Sequence, residues 1–199
     1  MSVTCVAGIL AGGASKRFGR PKALLELAGG RTIIEHVAAV ASSVAEAVVI
    51  LGNAPGVPAS MASVPVLPDA VPDSGPMGGL CSLLEYAAPH WALLLACDLP
   101  ALQGSVLRSL LEAAGDKPDA DVVAFHSEGV RNTYETCCAL YHPRVHSRAS
   151  DALRSGATGL QELLRQVRTY GLVPSESQAR ALFDIDTAQD ADTLGDLLA

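Results

Sequence analysis

The chain has 199 residues, a formal net charge of −7 and 49% hydrophobic residues. This length allows one large domain, or a compact domain with a small lobe, and we expect residues 1–199 to form a single domain with a sizeable core. The negative charge argues against a general nucleic-acid surface, which needs a broad basic face. It does not exclude a single nucleotide in a local basic pocket.

The five cysteines do not form a C-x-x-C pair, and each lies among apolar residues. We therefore expect buried thiols in a reducing compartment. The chain does not open on a charged and then apolar leader, and no apolar run is long enough to cross a membrane. These features predict a cytoplasmic protein with no membrane association.

Apolar periodicity predicts strands and helices that alternate along the chain. The predicted strands are residues 3–9, 47–51, 64–67, 91–97, 121–125, 136–141 and 182–185. The predicted helices are the segment after Thr32, residues 80–88, 106–114, 145–167 and 187–198, and residues 72–79 are predicted as a loop. This alternation is typical of an α/β fold, here a doubly wound, mostly parallel sheet with helices on both faces. Thr32 and Glu35 have the spacing of a capping box.

A glycine-rich, basic segment follows the first predicted strand: L-A-G-G-A-S-K-R-F-G-R-P-K, residues 10–22. Gly12 and Gly13 lack a Cβ, so the backbone can turn sharply and approach a ligand closely. The first 25 residues contain no Asp or Glu, and four cations lie within seven of them: Lys16, Arg17, Arg20 and Lys22. Backbone N–H groups and cations of this kind bind phosphates, although the spacing matches neither the Walker nor the Rossmann pattern. The alternative is an ordinary turn with solvated basic residues.

Polar residues also follow other predicted strands, and ligands bind at the carboxyl ends of strands in an open parallel sheet. Asp98 ends the most apolar strand, where a carboxylate facing a phosphate loop suits Mg²⁺. Asn53 and Asp69 follow the strands at 47–51 and 64–67. The alternative for all three is a turn-forming residue.

Residues 10–22 resemble the signature L-A-G-G-x-S-x-R-M-G-x-x-K of the MobA-like nucleotidyltransferases, with Phe18 where Met is usual. The stretch A-C-D-L-P around Asp98 is similar to the C-D-x-P metal motif of that family. Residues 75–79, G-P-M-G-G, resemble its G-P-L-A-G segment, which opens a helix beside the nucleotide, and Y-E-T-C-C-A-L-Y resembles its E-P-L-C-A-L-Y strand. Within the family the chain most resembles the molybdenum cofactor guanylyltransferases, over nearly its whole length.

This resemblance implies a Rossmann-like nucleotidyltransferase that moves GMP from GTP to molybdopterin, with Mg²⁺ as cofactor and pyrophosphate as by-product. It implies partners among other enzymes that make or receive the molybdenum cofactor. Carried over by motif, Arg17, Lys22 and Asp98 are catalytic, Asp98 is the metal ligand, and Asp69 reads the guanine. The implied nucleotide-binding residues are Leu10, Ala11, Gly12, Gly13, Lys22, Asn53, Asp69, Gly75, Gly79 and Asp98.

One segment departs from the guanylyltransferase pattern. F-D-I-D-T, with Asp184 and Asp186, stands where N-x-N-T-P-E-D is more usual, and it looks more like the cytidylyltransferase branch. These two residues could touch the metal, lie near the pterin, or cap the last helix, and Arg131 and Asn132 could face the second substrate. Transfer from CTP, or to a sugar or lactyl phosphate, therefore stays open, as does a non-catalytic nucleotide-binding protein. Leu10-Ala11-Gly12-Gly13 favours guanine, because the cytidylyl branch has L-A-A-G, and an intact Lys22 and Asp98 favour an enzyme.

Overall fold

The computed structural model describes residues 3–11, 22–53, 57–127 and 133–185. Within these ranges the strands are β1 (Cys5–Leu10), β2 (Ala47–Leu51), β3 (Val66–Leu67), β4 (Trp91–Ala96), β5 (Val122–His126), β6 (Tyr134–Tyr141) and β7 (Thr169–Leu172). The α-helices in the same ranges are α1 (Ile33–Ser42), α2 (Pro76–Ala87), α3 (Gly104–Asp116), α4 (His146–Arg154), α5 (Leu160–Gln166) and α6 (Glu176–Ala181). The helix predicted at 187–198 lies outside the described residues.

The described strands form one sheet in the order β3-β2-β1-β4-β6-β5-β7. All neighbours pair in parallel except β6, which is antiparallel to both β4 and β5. The connection between β5 and β6 is too short for a crossover helix, so these two strands can only pair antiparallel. The prediction of a mostly parallel sheet is confirmed.

Helices cover both faces of the sheet, as the doubly wound prediction required. Alternate residues of the central strand β4 point to opposite faces, as the pleat demands. Leu93 and Leu95 join the apolar cluster beneath α1, α3 and α6, whereas Ala92 and Leu94 join the cluster beneath α2, α4 and α5. None of the helices in the described part of the chain combines the length and apolar character that a bilayer crossing requires.

Two of the predicted elements near the C-terminus are wrong. The helical pattern predicted across 145–167 is broken at residues 155–159, because Gly156 adopts a φ of +83° and ends α4 there. The strand predicted at 182–185 is absent: Leu182 caps α6, and residues 183–185 have no regular structure. The edge strand in this region is β7, which contains Gly171 and lacks an apolar run that would reveal it.

The capping box predicted at the start of α1 is confirmed. The Thr32 side chain accepts a hydrogen bond from the Glu35 backbone N–H, and the Glu35 carboxylate accepts one from the Thr32 N–H at 2.8 Å. The carboxylate also accepts from the Ser60 hydroxyl, which is the first of the hydrogen bonds that lower the pKa of Glu35 to about 2. This network ties the entry of α1 to the chain that follows β2.

We expect Thr32→Ala to lower the free energy of unfolding by about 1 kcal/mol, because a helix N–H loses its acceptor. Thr32→Ser keeps the hydroxyl and is the matched control. Urea unfolding of the three proteins measures the difference. Equal midpoints for Thr32→Ala and the unmutated chain would contradict this role of the cap.

Candidate active site

Four parallel strands, β3, β2, β1 and β4, end side by side at one edge of the sheet, which we call the carboxyl edge. The predicted site residues Asp69, Asn53, Ala11 and Asp98 follow these strands in that spatial order. Strands lie about 4.8 Å apart, so three spacings, about 14 Å, separate the end of β3 from the end of β4. The fold therefore places these residues along one line, as the parallel topology predicted.

Backbone hydrogen bonds fix the ends of β1 and β2 to their neighbours. The Ala11 N–H donates to the Leu51 carbonyl at 3.2 Å, and the Gly52 N–H donates to the Leu67 carbonyl at 2.8 Å. Gly52 then adopts a φ of +85°, a conformation that glycine tolerates best. This turn carries the chain out of the sheet and leaves the Asn53 side chain exposed at the carboxyl edge.

Gly12, Gly13 and Arg17 lie outside the described residues, as do Arg131, Asn132 and Asp186. The backbone of Lys22 begins a short 3₁₀ helix, Lys22–Leu24. On one side of the predicted phosphate loop the chain leaves from β1, and on the other side Ala23 and Leu25 are buried in the core. Both ends of the loop are thus anchored to the rigid part of the fold, while its phosphate role stays a prediction.

The helix α2 begins at Pro76, not at Leu80 as the sequence predicted. Gly75 is its N-cap, with φ +64° and ψ −154°, and proline is well suited to the first helical position because its missing N–H is not needed there. Two glycines, Gly78 and Gly79, then stand inside the helix despite their low helix propensity. The resemblance to a segment that opens a helix was the better guide here.

Close packing explains why glycines occupy this turn of α2. A Cβ on Gly79 would lie 2.8 Å from Leu10 Cδ2, and a Cβ on Gly78 would collide with the Ser74 hydroxyl and lie 3.2 Å from Asp69 Cβ. Two hydrogen bonds hold the Asp69 loop to the same helix. The Ala70 N–H donates to the Gly78 carbonyl at 3.3 Å, and the Ser82 hydroxyl donates to the Pro68 carbonyl at 2.7 Å.

Asp69 is half-buried in this contact. Its carboxylate oxygen Oδ1 lies 3.5 Å from the position that a Cβ on Gly79 would take. Burial raises the pKa of Asp69 first, and the neighbouring charge of Asp73 raises it further. A ligand that donates N–H groups to this carboxylate would stabilise the ionised form, which its surroundings disfavour.

Three carboxylates converge where β4 ends, and we call them the acidic cluster: Asp98, Glu135 and Asp184. The charges of Asp98 and Glu135 both act on the Cys137 thiol, and the charge of Asp184 acts on Glu135, so the three carboxylates lie in one neighbourhood. The Ile185 N–H donates to the Asp98 carbonyl at 3.3 Å, which brings the neighbouring residue, Asp184, to the same place. Of the two acidic residues in F-D-I-D-T, the segment that departs from the guanylyltransferase pattern, Asp184 therefore lies near Asp98.

Glu135 is a member of the cluster that the sequence did not single out. Burial raises its pKa, as does the charge of Asp184, while a hydrogen bond from Ser127 lowers it. The pKa of the Cys137 thiol rises to about 11, mainly through burial and in part through the charges of Asp98 and Glu135. The available signal was that Glu135 is the only charged residue in the sequence of β6.

The carboxylates of the acidic cluster suit a Mg²⁺ site that the protein shares with the phosphates of a substrate. Within the described ranges, no three His, Cys, Asp or Glu side chains are arranged to hold a metal ion by themselves. Mg²⁺ is commonly bound through one or two carboxylates together with substrate phosphates. Asp98, just after the central strand, is suited to be such a carboxylate, with the substrate phosphates as the other ligands.

Doubly wound α/β proteins, many of which bind nucleotides, bind their ligands at the carboxyl edge of the sheet, where this chain has its polar residues. Residues 7–170 match the MobA-like NTP transferase domain, and the chain belongs to this family. It is a nucleotidyltransferase, and the resemblance seen in its sequence motifs is confirmed.

Relatives of known name cover most of the chain. A protein of Bacillus cereus (strain AH187) named "Probable molybdenum cofactor guanylyltransferase" is 30% identical over 178 residues, which span 87% of this chain and 86% of the relative. A protein of the same name from Bacillus mycoides (strain KBAB4) is 28% identical over 179 residues, covering 88% of this chain and 86% of the relative.

Solved structures agree on the fold. Molybdopterin-guanine dinucleotide biosynthesis protein A from Archaeoglobus fulgidus superposes with a TM-score of 0.77 at 18% identity, over 97% of this chain and 96% of the other. The 2-C-methyl-D-erythritol 4-phosphate cytidylyltransferase from Thermus thermophilus superposes with a TM-score of 0.69 at 18% identity, over 100% and 99% of the two chains. Proteins named for two different bases share this fold, so the base must be argued from side chains.

The start of α2 gives a prediction about stability. We expect Gly75→Ala to lower the free energy of unfolding by about 1–3 kcal/mol, because a residue with a Cβ is strained at this backbone conformation. Gly159→Ala is the matched control, since Gly159 is also a helix N-cap but has a φ of −84° and open space around it. Urea unfolding measures both changes, and equal losses would show that backbone strain at Gly75 is not the cause.

Proposed function

We propose that this nucleotidyltransferase transfers GMP from GTP to the terminal phosphate of molybdopterin, forming the guanine dinucleotide cofactor and pyrophosphate. The observation that carries the proposal is the layout of the carboxyl edge. A half-buried carboxylate, Asp69, stands at one end, Asp98 stands at the other, and β1 delivers the predicted phosphate loop between them. The separation of about 14 Å is suited to a nucleoside triphosphate lying along the edge.

Asp69 is the residue that would select the base. Guanine presents two neighbouring donors, N1–H and N2–H₂, and a carboxylate can accept both. Cytosine and adenine do not present this pair, so they would leave a partly desolvated carboxylate without its donors, which costs affinity. Asn53, exposed at the neighbouring strand end, would contact the same nucleotide.

The phosphates would lie over the end of β1. Gly12 and Gly13 supply backbone N–H groups, and Arg17 and Lys22 supply positive charge to the triphosphate. Little covalent chemistry is required of the protein, which must align the acceptor phosphate with the α-phosphorus and neutralise the leaving pyrophosphate. Gly75 and Gly79 let the first turn of α2 approach the nucleotide from one face of the sheet.

Magnesium completes the proposal. Asp98 would hold the ion, which, when bound, polarises the phosphates and stabilises the charge that develops on them. Asp98 follows two residues after β4, a buried strand that is bonded on both sides, to β1 and to β6, so it would need little rearrangement. We propose a cytoplasmic enzyme that passes its product to enzymes that use the cofactor.

Cytidylyl transfer to the same pterin is the second candidate. The F-D-I-D-T segment favours it, and Asp184 of that segment lies in the acidic cluster. The Asp69 carboxylate and the L-A-G-G sequence favour guanine. The two candidates differ in a single measurable property, the choice of nucleoside triphosphate.

We expect the unmutated protein to bind GTP in preference to CTP and ATP, and Asp69→Asn to reduce that preference by at least about tenfold, because one acceptor oxygen is replaced by a donor. Glu85→Gln is the control, since Glu85 is an exposed carboxylate on α2, the helix that packs against the Asp69 loop. Calorimetric titration with Mg²⁺ present gives the affinities. Equal affinity of the unmutated protein for GTP and CTP would overturn the guanine assignment.

We expect Asp98→Asn to slow transfer by about a hundredfold or more, the loss typical of one electrostatic stabiliser. Single-turnover guanylyl transfer at saturating Mg²⁺ is the measurement, with thermal unfolding to show that the fold is kept. Glu112→Gln, an exposed carboxylate on α3, is the control. An Asp98→Asn enzyme that keeps the unmutated rate would mean that Asp98 only shapes the turn after β4.

A further inference from the structure

A second polar site lies at the opposite edge of the sheet. Asp121 immediately precedes β5 and Arg168 immediately precedes β7. Both strands run parallel to β4, since β6 is antiparallel to β4 and β5 and β7 is parallel to β5. Their starts therefore lie about one strand length, roughly 20 Å, from the carboxyl edge.

A cavity of about 500 Å³ opens at this edge, and we call it the arginine cavity. Its lining includes one carboxylate, Asp121, and four guanidinium groups: Arg144, Arg148, Arg165 and Arg168. The whole chain has only 14 Lys and Arg against 21 Asp and Glu. Four of those cations around one cavity of an acidic protein make it a local centre of positive potential.

We call Asp121, Arg144 and Arg168 the floor of the arginine cavity, and hydrogen bonds hold these three side chains in place. Arg168 binds Asp121 through two nitrogens, Nε at 3.1 Å and Nη2 at 3.0 Å, and Arg144 Nε binds the same carboxylate at 2.8 Å. Arg144 also donates to the carbonyls of Pro118 and Ala120, at 2.8 and 2.9 Å. These contacts keep the pKa of Asp121 low, chiefly through the hydrogen bond from Arg168. One carboxylate facing two guanidinium groups leaves the floor with a net positive charge.

Arg165 and Arg148 also line the cavity, and their positive charges are less fully paired than those of Arg144 and Arg168. Arg165 pairs with Glu162 at 3.2 Å, an exposed contact one helical turn away that contributes little energy. Arg148 makes no hydrogen bond or ion pair with the residues that the structure describes. A neighbouring cavity shares Ser147, Arg148 and Gln166 in its lining, so Arg148 lies where the two meet.

We propose that the arginine cavity binds a small phosphorylated anion, either a phosphate monoester or free phosphate, through Arg148 and Arg165. The planar fork of a guanidinium matches two oxygens of a phosphate, and the fixed guanidinium groups of Arg144 and Arg168 add positive charge beside Arg148 and Arg165. The volume lies in the range of small-molecule sites. This site uses none of the residues assigned to nucleotide transfer, so it stands or falls independently of the proposed function.

The test is a titration of the full-length, ¹⁵N-labelled protein, followed by NMR at constant ionic strength. Inorganic phosphate and phenyl phosphate are the two probes, with chloride as the blank. We expect saturable shifts of the Ser147, Arg148 and Gln166 signals, and Arg148→Gln should weaken this binding by at least about tenfold, since charge-assisted hydrogen bonds are lost. The probe that binds more tightly shows whether the site takes esters or free phosphate.

Arg154→Gln is the matched control, because Arg154 lies on the same helix but outside the cavity lining. Arg154→Gln should leave the phosphate titration unchanged. Arg148→Gln should not alter any shifts that phosphate causes in the signals of residues 12–22. Arg165→Gln is the second variant and should also weaken binding. Shifts that do not saturate, or that survive both Arg148→Gln and Arg165→Gln in folded protein, would overturn the proposal.

Discussion

The contact between α2 and the ends of β1 and β3 is the one on which the carboxyl edge depends. Gly78 and Gly79 remove the side chains that would hold the helix away from Leu10 and Asp69. Inside a helix each glycine costs about 1 kcal/mol relative to alanine, so the close approach lowers the intrinsic stability of α2. The packing of Met77, Leu80 and Leu84 into the core beneath α2 offsets that cost. The same contact makes Asp69 half-buried, so its carboxylate is sensitive to N–H donors of the kind that the proposed guanine base would supply.

The fold keeps its two charged regions apart. Parallel strands place the residues that follow them at one edge and the residues that precede them at the other, so Asp69 and Asp98 cannot mix with Asp121 and Arg168. At the carboxyl edge the described ionisable groups are mainly acidic. At the opposite edge the guanidinium groups outnumber the carboxylate that organises them. An overall charge of −7 hides both of these local fields.

Features that depend on local sequence could be predicted from the sequence, whereas features that depend on tertiary contacts could not. The bounds of β2 were predicted as Ala47–Leu51 because an uninterrupted apolar run bounded by glycine needs a fully buried strand. The start of α2 could not be predicted from residue propensities, because the glycines at 78–79 suggest a loop until their tertiary contacts are known. The edge strand β7 has partly exposed residues throughout, so no burial pattern marked it. The alignment of Asp98 with Asn53 and Asp69 was predictable from parallel topology, whereas Glu135 was not, since its place depends on the antiparallel register of β6 with β4.

The charges of the acidic cluster support the proposal of a cation at the end of β4. Burial is the main cause that raises the pKa values of Glu135 and the Cys137 thiol; the charge of Asp184 adds to the rise at Glu135, and the charges of Asp98 and Glu135 add to the rise at Cys137. Such repulsion costs the folded chain free energy when all three carboxylates are ionised. The cost is lowered by proton uptake or by a cation, and near neutral pH an ordinary carboxylate gives up its proton. A divalent ion that arrived with the phosphates of a nucleotide would remove this repulsion, so at the proposed site the binding of the metal and the binding of the nucleotide would favour each other.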